Sequence, residues 1–107
     1  MSQNNNSETS EFILQDEMIV KDVEAIALFR SEGKQDILRI LMENEMNIHD
    51  LKNALKMNPG TIKRHLDQLL QYELIVQTRE DENSWGVKMK YYRTVARKFK
   101  INFEWPN

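Results

Sequence analysis

Apolar residues recur at helical spacing over the first two thirds of the chain and change to alternation afterwards. Asp22 is placed to cap a first helix running to about Arg30, whose apolar residues are Val23, Ala25, Ile26, Ala27, Leu28 and Phe29. So broad a set covers more than one stripe and points to burial on two sides. Ser31 opens a second helix, carrying Ile37, Leu38, Ile40, Leu41 and Met42. Asn47 opens a third, with Asp50 at the third helical position able to reach back to free backbone N–H groups in a capping-box arrangement. Ile48, Leu51, Ala54 and Leu55 fall on its inner face. Met57 to Gly60 is a turn: Asn58 caps, and Pro59 suits the first helical position, where its missing N–H would have no partner. The fourth helix then runs to about Tyr72. Its buried stripe is Ile62, Leu66, Leu69 and Leu70, and at 100° per residue the opposite face carries Gly60, Lys63, Arg64, Asp67 and Gln68.

Beyond Leu74 the period becomes two. Leu74 to Thr78 is rich in β-branched residues, and Val87 to Tyr91 alternates apolar with basic, which predicts two strands. The polar stretch Glu80 to Gly86 between them has the character of a hairpin loop. Phe12 to Val20 is apolar but broken by Gln15, Asp16 and Glu17, a pattern that fits a short strand or an arm. Val95 to Trp105 mixes bases with Phe99, Ile101, Phe103 and Trp105, and fits either helix or strand. Residues 1–10, with three consecutive asparagines, have nothing to bury and are expected to be a disordered tail. Residues 11–107 are expected to form one domain, as the 107-residue length allows.

Composition removes several function classes. Without cysteine there is no disulfide, thiolate metal site or cysteine nucleophile. No apolar run approaches the roughly 18 residues needed to cross a bilayer. The N-terminal residues lack the basic flank and apolar stretch of a secretory signal. A cytoplasmic protein with no membrane partner is the expectation. Carboxylates are scattered in loops, no Gly-rich phosphate loop follows a strand, and no serine–histidine set stands out, so no enzyme and no cofactor is expected. His49 sits in the first turn of its helix, where the dipole disfavours imidazolium, and Asp50 alone beside it does not make a metal site.

Charge changes the picture once it is divided by position. The net charge is −2, yet residues 1–58 hold eleven acids against six bases and residues 59–107 hold six against nine. Fields act over about 8–10 Å at physiological salt, so the basic second half can meet a polyanion although the whole chain is acidic.

Three helices, a fourth with exposed bases and then a β-hairpin give a mainly α fold with a β-hairpin wing, the order of a winged helix-turn-helix. The segment from about Ser31 to Arg97 resembles the ArsR-type winged-helix transcription regulators, particularly their small archaeal members. The resemblance is carried by Asp36 to Leu41, Ile48 to Leu51, Pro59 to Leu66 with Leu69, and Gly86 to Lys88 with Tyr91, Tyr92 and Arg93. It implies that the fourth helix lies in the major groove of double-stranded DNA, with the wing along the backbone or minor groove. On that reading Lys63 and Arg64 donate to guanine or phosphate, and Thr61 and Gln68 donate or accept. Asn58 and Gly60 lie at the helix N-terminus, whose free N–H groups would meet a phosphate. Arg64, near the centre of the exposed face, ranks first for base readout and Lys63 as a phosphate contact. Lys88, Lys90 and Arg93 supply the wing's cations, with Tyr92 on the lysine face.

His65, on the flank of the buried stripe, reads from the residues alone as a packed structural histidine, whereas the resemblance makes it a phosphate or base donor. Trp85 beside Gly86 is expected to fold back over the hairpin. The apolar C-terminal residues and the broad first helix point to a homodimer interface, as is usual in the resembling family. Three features depart from it. No cysteine is present for thiolate sensing, Glu73 stands where a glycine usually ends the recognition helix in a left-handed turn, and Glu80, Asp81 and Glu82 place acid on the wing. The acidic run either points away from DNA, leaving only the second strand to approach, or meets a basic protein. A winged-helix protein-interaction module in a transcription or replication assembly is therefore the alternative to a sequence-specific regulator.

Overall fold

Each helix begins on a side chain that accepts from its first turn. A computed structural model describes residues 12–106, so the expected tail, residues 1–10, lies outside the described residues. Helix α1 spans Val23–Leu28, with Asp22 Oδ1 accepting from Glu24 N at 2.8 Å. Helix α2 spans Glu32–Leu41, with Ser31 Oγ accepting from Lys34 N at 3.3 Å. Helix α3, Ile48–Leu55, has the full reciprocal box: Asn47 Oδ1 accepts from Asp50 N at 2.7 Å, and Asp50 Oδ2 accepts from Asn47 N at 3.3 Å. Helix α4, Pro59–Gln71, starts on Asn58. These are the caps expected from sequence, and they satisfy donors that a helix start otherwise leaves without partners.

The stripes of α2, α3 and α4 meet in one core. Ile37, Leu41, Leu51, Ile62, Leu66 and Leu69 have no solvent exposure, and Leu74 joins them as the chain leaves α4. Ala54, expected on the inner face of α3, is exposed. Helix α1 is shorter than expected and buries only Ala25 fully, leaving Val23 half exposed, so one monomer covers one side of it. Among the described residues two that are not glycine adopt left-handed backbone, Lys56 after α3 and Glu73 after α4, with φ of 56° and 59°. The turn after α4 therefore keeps the left-handed geometry without the glycine that usually provides it.

Strands β2, Ile75–Glu82, and β3, Lys88–Thr94, form the antiparallel hairpin, with a register shift between Gln77 and Arg79. The loop is shorter than the expected Glu80–Gly86. Asn83 makes the turn, its Oδ1 accepting from Trp85 N at 2.9 Å and Val87 N at 3.0 Å, while Gly86 takes φ of 80°. The acidic run thus lies in strand β2, where Glu80 faces Lys90 and Glu82 faces Lys88 across the ladder. Acidic residues are poor strand formers alone, and the opposed lysines are what make the extension favourable. Met46 exchanges backbone bonds with Tyr92 at 3.1 and 2.9 Å, which ties the loop before α3 to the hairpin.

The two undecided segments resolve together. Strand β1, Met18–Val20, pairs in parallel with β4, Phe99–Ile101, and Gln15 bridges to Ala96. Phe99 meets the edge of Phe29 with ring centres 5.4 Å apart, which anchors this second sheet to the end of α1.

Candidate nucleic-acid interface

The exposed face of α4 follows from its capping. Asn58 Oδ1 accepts from Gly60 N at 2.7 Å and Thr61 N at 3.3 Å, and Ile62 N donates to Asn58 O at 3.0 Å. Pro59 has no N–H. The Gly60 N–H expected to meet a phosphate is therefore bonded to the Asn58 cap, as is that of Thr61, which leaves mainly side chains to face a ligand. Thr61, Arg64 and Gln68 project over the middle of the face, with Thr61 half-buried and the other two exposed.

Lys63 lies toward the wing. Its Nζ donates to both carboxylate oxygens of Asp67, at 2.8 and 2.9 Å, and this partner raises the lysine pKa. Lys63 and Asp67 line an open groove of about 370 Å³ between α4 and the hairpin, closed on the far side by Gln77, Lys88, Lys90 and Tyr92. Lys88 and Lys90 reach it as expected, but each stands opposite an acid of β2 on the same face. Tyr92 forms the floor with 5% of its surface exposed, and burial pushes its hydroxyl pKa up, so it presents no ring for stacking.

Arg93 does not join this surface. Its Nη2 donates to Met42 O at 2.9 Å, and its Nε is buried with no partner. A guanidinium on the last carbonyls of α2 satisfies a group the helix leaves open, which holds Arg93 as a tie between α2 and the wing. His65 is likewise turned inward onto α2: a Cβ added at Gly33 would meet its Nε2 at 2.7 Å. Burial, then Lys34 and Arg64, lower the imidazole pKa. Trp85 does the reverse of what sequence led one to expect. It is 84% exposed at the hairpin tip instead of folding back.

Sequence reasoning passed over Lys34 and Lys56. Lys34 is 8% exposed and sits beside Arg64, and Lys56 holds the left-handed residue of the helix-turn-helix turn. A lysine within the first turn of α2 gave no periodic signal that it would be covered. Among the described residues no group of three or more histidines, carboxylates or cysteines stands close enough to hold a metal. His49 contacts Asn53 across one helical turn, Nε2 to Nδ2 at 3.1 Å. No helix of the described residues is long and apolar enough to cross a membrane.

Residues 31–76, which run from the α2 cap through α4 into β2, match the family model described as bacterial regulatory protein, arsR family. Over this helix-turn-helix unit the chain is similar to the arsR family. Three solved structures share the fold around this unit. The transcriptional regulator HlyU from Vibrio vulnificus is 19% identical with a TM-score of 0.54, covering 67% of this chain and 69% of HlyU. HlyU from Vibrio cholerae is 19% identical at a TM-score of 0.54, covering 67% of this chain and 72% of that one. The homodimeric winged helix-turn-helix DNA-binding domain Mb0332 from Mycobacterium bovis, a possible ArsR-family transcriptional regulator, is 22% identical at a TM-score of 0.56. That match covers 67% of this chain and 61% of the Mb0332 fragment. No curated protein matches the chain by sequence. The fold is thus a winged helix-turn-helix, as in these neighbours. They are bacterial proteins, and the expected closeness to small archaeal members draws no support from them.

Proposed function

We propose that the chain is a sequence-specific regulator of transcription that binds double-stranded DNA in the cytoplasm as a homodimer, reading the major groove with α4. The observation that carries this reading is the exposed α4 face, with Arg64 at its centre and Thr61 and Gln68 beside it, on an arsR-family unit. Arg64 can give guanine O6 and N7 a bidentate pair, while Gln68 matches adenine. Lys63 contributes to a phosphate once Asp67 yields it. Trp85 at the tip and the lysines of β3 flank the duplex. Selection of bound duplexes from a random pool tests binding and specificity together: a two-fold symmetric motif with half-sites about one helical turn apart supports the reading. An unenriched pool refutes it.

The dimer is assigned to the N- and C-terminal segments. Ile19, Val23, Ile101, Phe103 and Trp105 lie around the β1–β4 sheet with 51%, 50%, 46%, 55% and 82% of their surface exposed. Apolar residues left exposed around one small sheet mark an association surface, and Mb0332 is a homodimer. Sedimentation equilibrium should give twice 12.8 kDa at micromolar concentration, and a monomer mass would remove the proposal.

The cross-strand placement of Glu80 and Glu82 opposite lysines favours a second reading, a protein-interaction module, because it offsets most of the wing's positive charge. That reading predicts no duplex affinity at about 0.1 M salt, where phosphate contacts still hold a DNA-binding protein in place.

A further inference from the structure

Two of the cations expected at the duplex are engaged within the chain, and two face acids across the ladder. Lys63 holds Asp67, Lys88 and Lys90 stand opposite Glu82 and Glu80, and Arg93 is turned onto Met42 O. The flank of α4 that packs on α2 differs. There Lys34, Arg64 and His65 come together, and among the described residues none of them has a carboxylate within 4 Å. Gly33 makes the approach possible, because the imidazole of His65 occupies the space its missing side chain leaves. Lys34, the next residue, is more than nine-tenths buried and has no side-chain hydrogen-bond partner among the described residues. Its aliphatic stem is what is covered: among the described residues the one side-chain nitrogen buried without a partner is Arg93 Nε, so the Lys34 ammonium keeps access to solvent. Burial and then Arg64 both lower its pKa. The nearest acid in the α2 first turn, Glu32, is exposed and makes no ion pair among the described residues.

We propose that Lys34, Arg64 and His65 form an oxyanion site that takes one backbone phosphodiester of the duplex, on the side of α4 away from the wing. The proposal rests on the duplex-binding reading above and adds to it where the backbone is held. A phosphodiester carries one negative charge over two free oxygens, which suits one ammonium and one guanidinium. The imidazole adds a third donor, on Nδ1 or Nε2 according to tautomer. Cross-strand acids offset part of the wing's positive charge, so a cationic grip on the α2 side adds to what the wing supplies.

The test uses the full chain and two variants, Lys34→Met and Lys34→Gln, with a duplex recovered by selection. Lys34→Met keeps the aliphatic stem and removes a charge that has no partner in the free protein, so its unfolding midpoint should equal or exceed the parent's. Its duplex affinity at about 0.1 M salt should fall about tenfold, and the slope of log affinity against log salt should become shallower by about 0.9, as the loss of one phosphate contact requires. Lys34→Gln should fall with it. If both variants fold and bind with the parent's affinity and slope, the site is overturned while the duplex reading stands. A second arm follows the His65 ring by NMR as inorganic phosphate is added to the free protein. A saturable movement with a rise in the His65 pKa, absent from Lys34→Met, supports the oxyanion site. Should the parent bind no duplex, the regulator reading fails and this arm decides the site alone: no Lys34-dependent movement overturns it.

Discussion

Arg79 on β2 donates through Nε to Glu45, in the loop between α2 and α3, at 2.6 Å. The same guanidinium lies 3.7 Å from the centre of the Tyr91 ring and donates from Nη1 to Asp81 at 3.1 Å. Thr78, at the register shift of the hairpin, donates its hydroxyl to the other oxygen of Glu45. One carboxylate outside the hairpin thus holds two successive residues of its first strand. This contact, together with the Met46–Tyr92 bridge, sets the angle of the wing relative to the helix-turn-helix.

The bond from Arg79, then the bond from Thr78, lower the Glu45 pKa. A folded-state pKa below the unfolded value adds stability above the unfolded pKa, and that stability is lost as pH falls through the folded one. Glu45→Gln should therefore unfold at a lower temperature than the parent at pH 7, with the gap closing below the ordinary carboxylate range. Paired thermal melts at neutral and strongly acidic pH check this, and an equal gap at both would show that the charge is irrelevant.

Arg64 and Lys63 separate by the kind of contact each can make. Arg64→Ala should cost about 1–3 kcal/mol in duplex binding and relax preference at one position of the site. Lys63→Ala should weaken all sequences alike, and Asp67, left unpaired near the phosphates, should enlarge the loss. Competition binding against single-base variants of the selected duplex distinguishes the two patterns.

Glu73 sits at φ of 59° where a side chain is disfavoured. Glu73→Gly should stabilise the fold by about 0.5–1 kcal/mol in denaturant unfolding, since the left-handed turn is already formed and only glycine adopts it without strain.

Gly33 and His65 should behave as a coupled pair. Alanine in place of a helical glycine gains about 1 kcal/mol when nothing obstructs it. Here the new methyl meets the imidazole, so Gly33→Ala should gain less in the parent than in a His65→Ala background. The His65 ring should move outward and its lowered pKa should rise toward the ordinary value as it regains water. A double-mutant cycle with histidine titration by NMR measures both, and additive free energies would show that the two residues do not touch.

Local chemistry made much of this protein legible from its residues alone. The caps at Asp22, Ser31, Asn47 and Asn58, the buried stripe of α4 and the unfavourable turn at Glu73 are read within a few positions, because each depends on neighbours one helical turn away. Fold order and the resemblance to arsR-type regulators came from the same local signals. Only the tertiary structure decided where long side chains go. Arg93 looked available on its strand, yet it is drawn onto a carbonyl of α2, and His65, which its flank position marked as packed, finds its place only in the gap at Gly33. Glu80 and Glu82 became strand residues because lysines from β3 face them, and β1 and β4 found each other across more than seventy residues of chain. Such contacts are set by which surfaces meet, and periodicity along one segment carries no information about the partner that another segment brings.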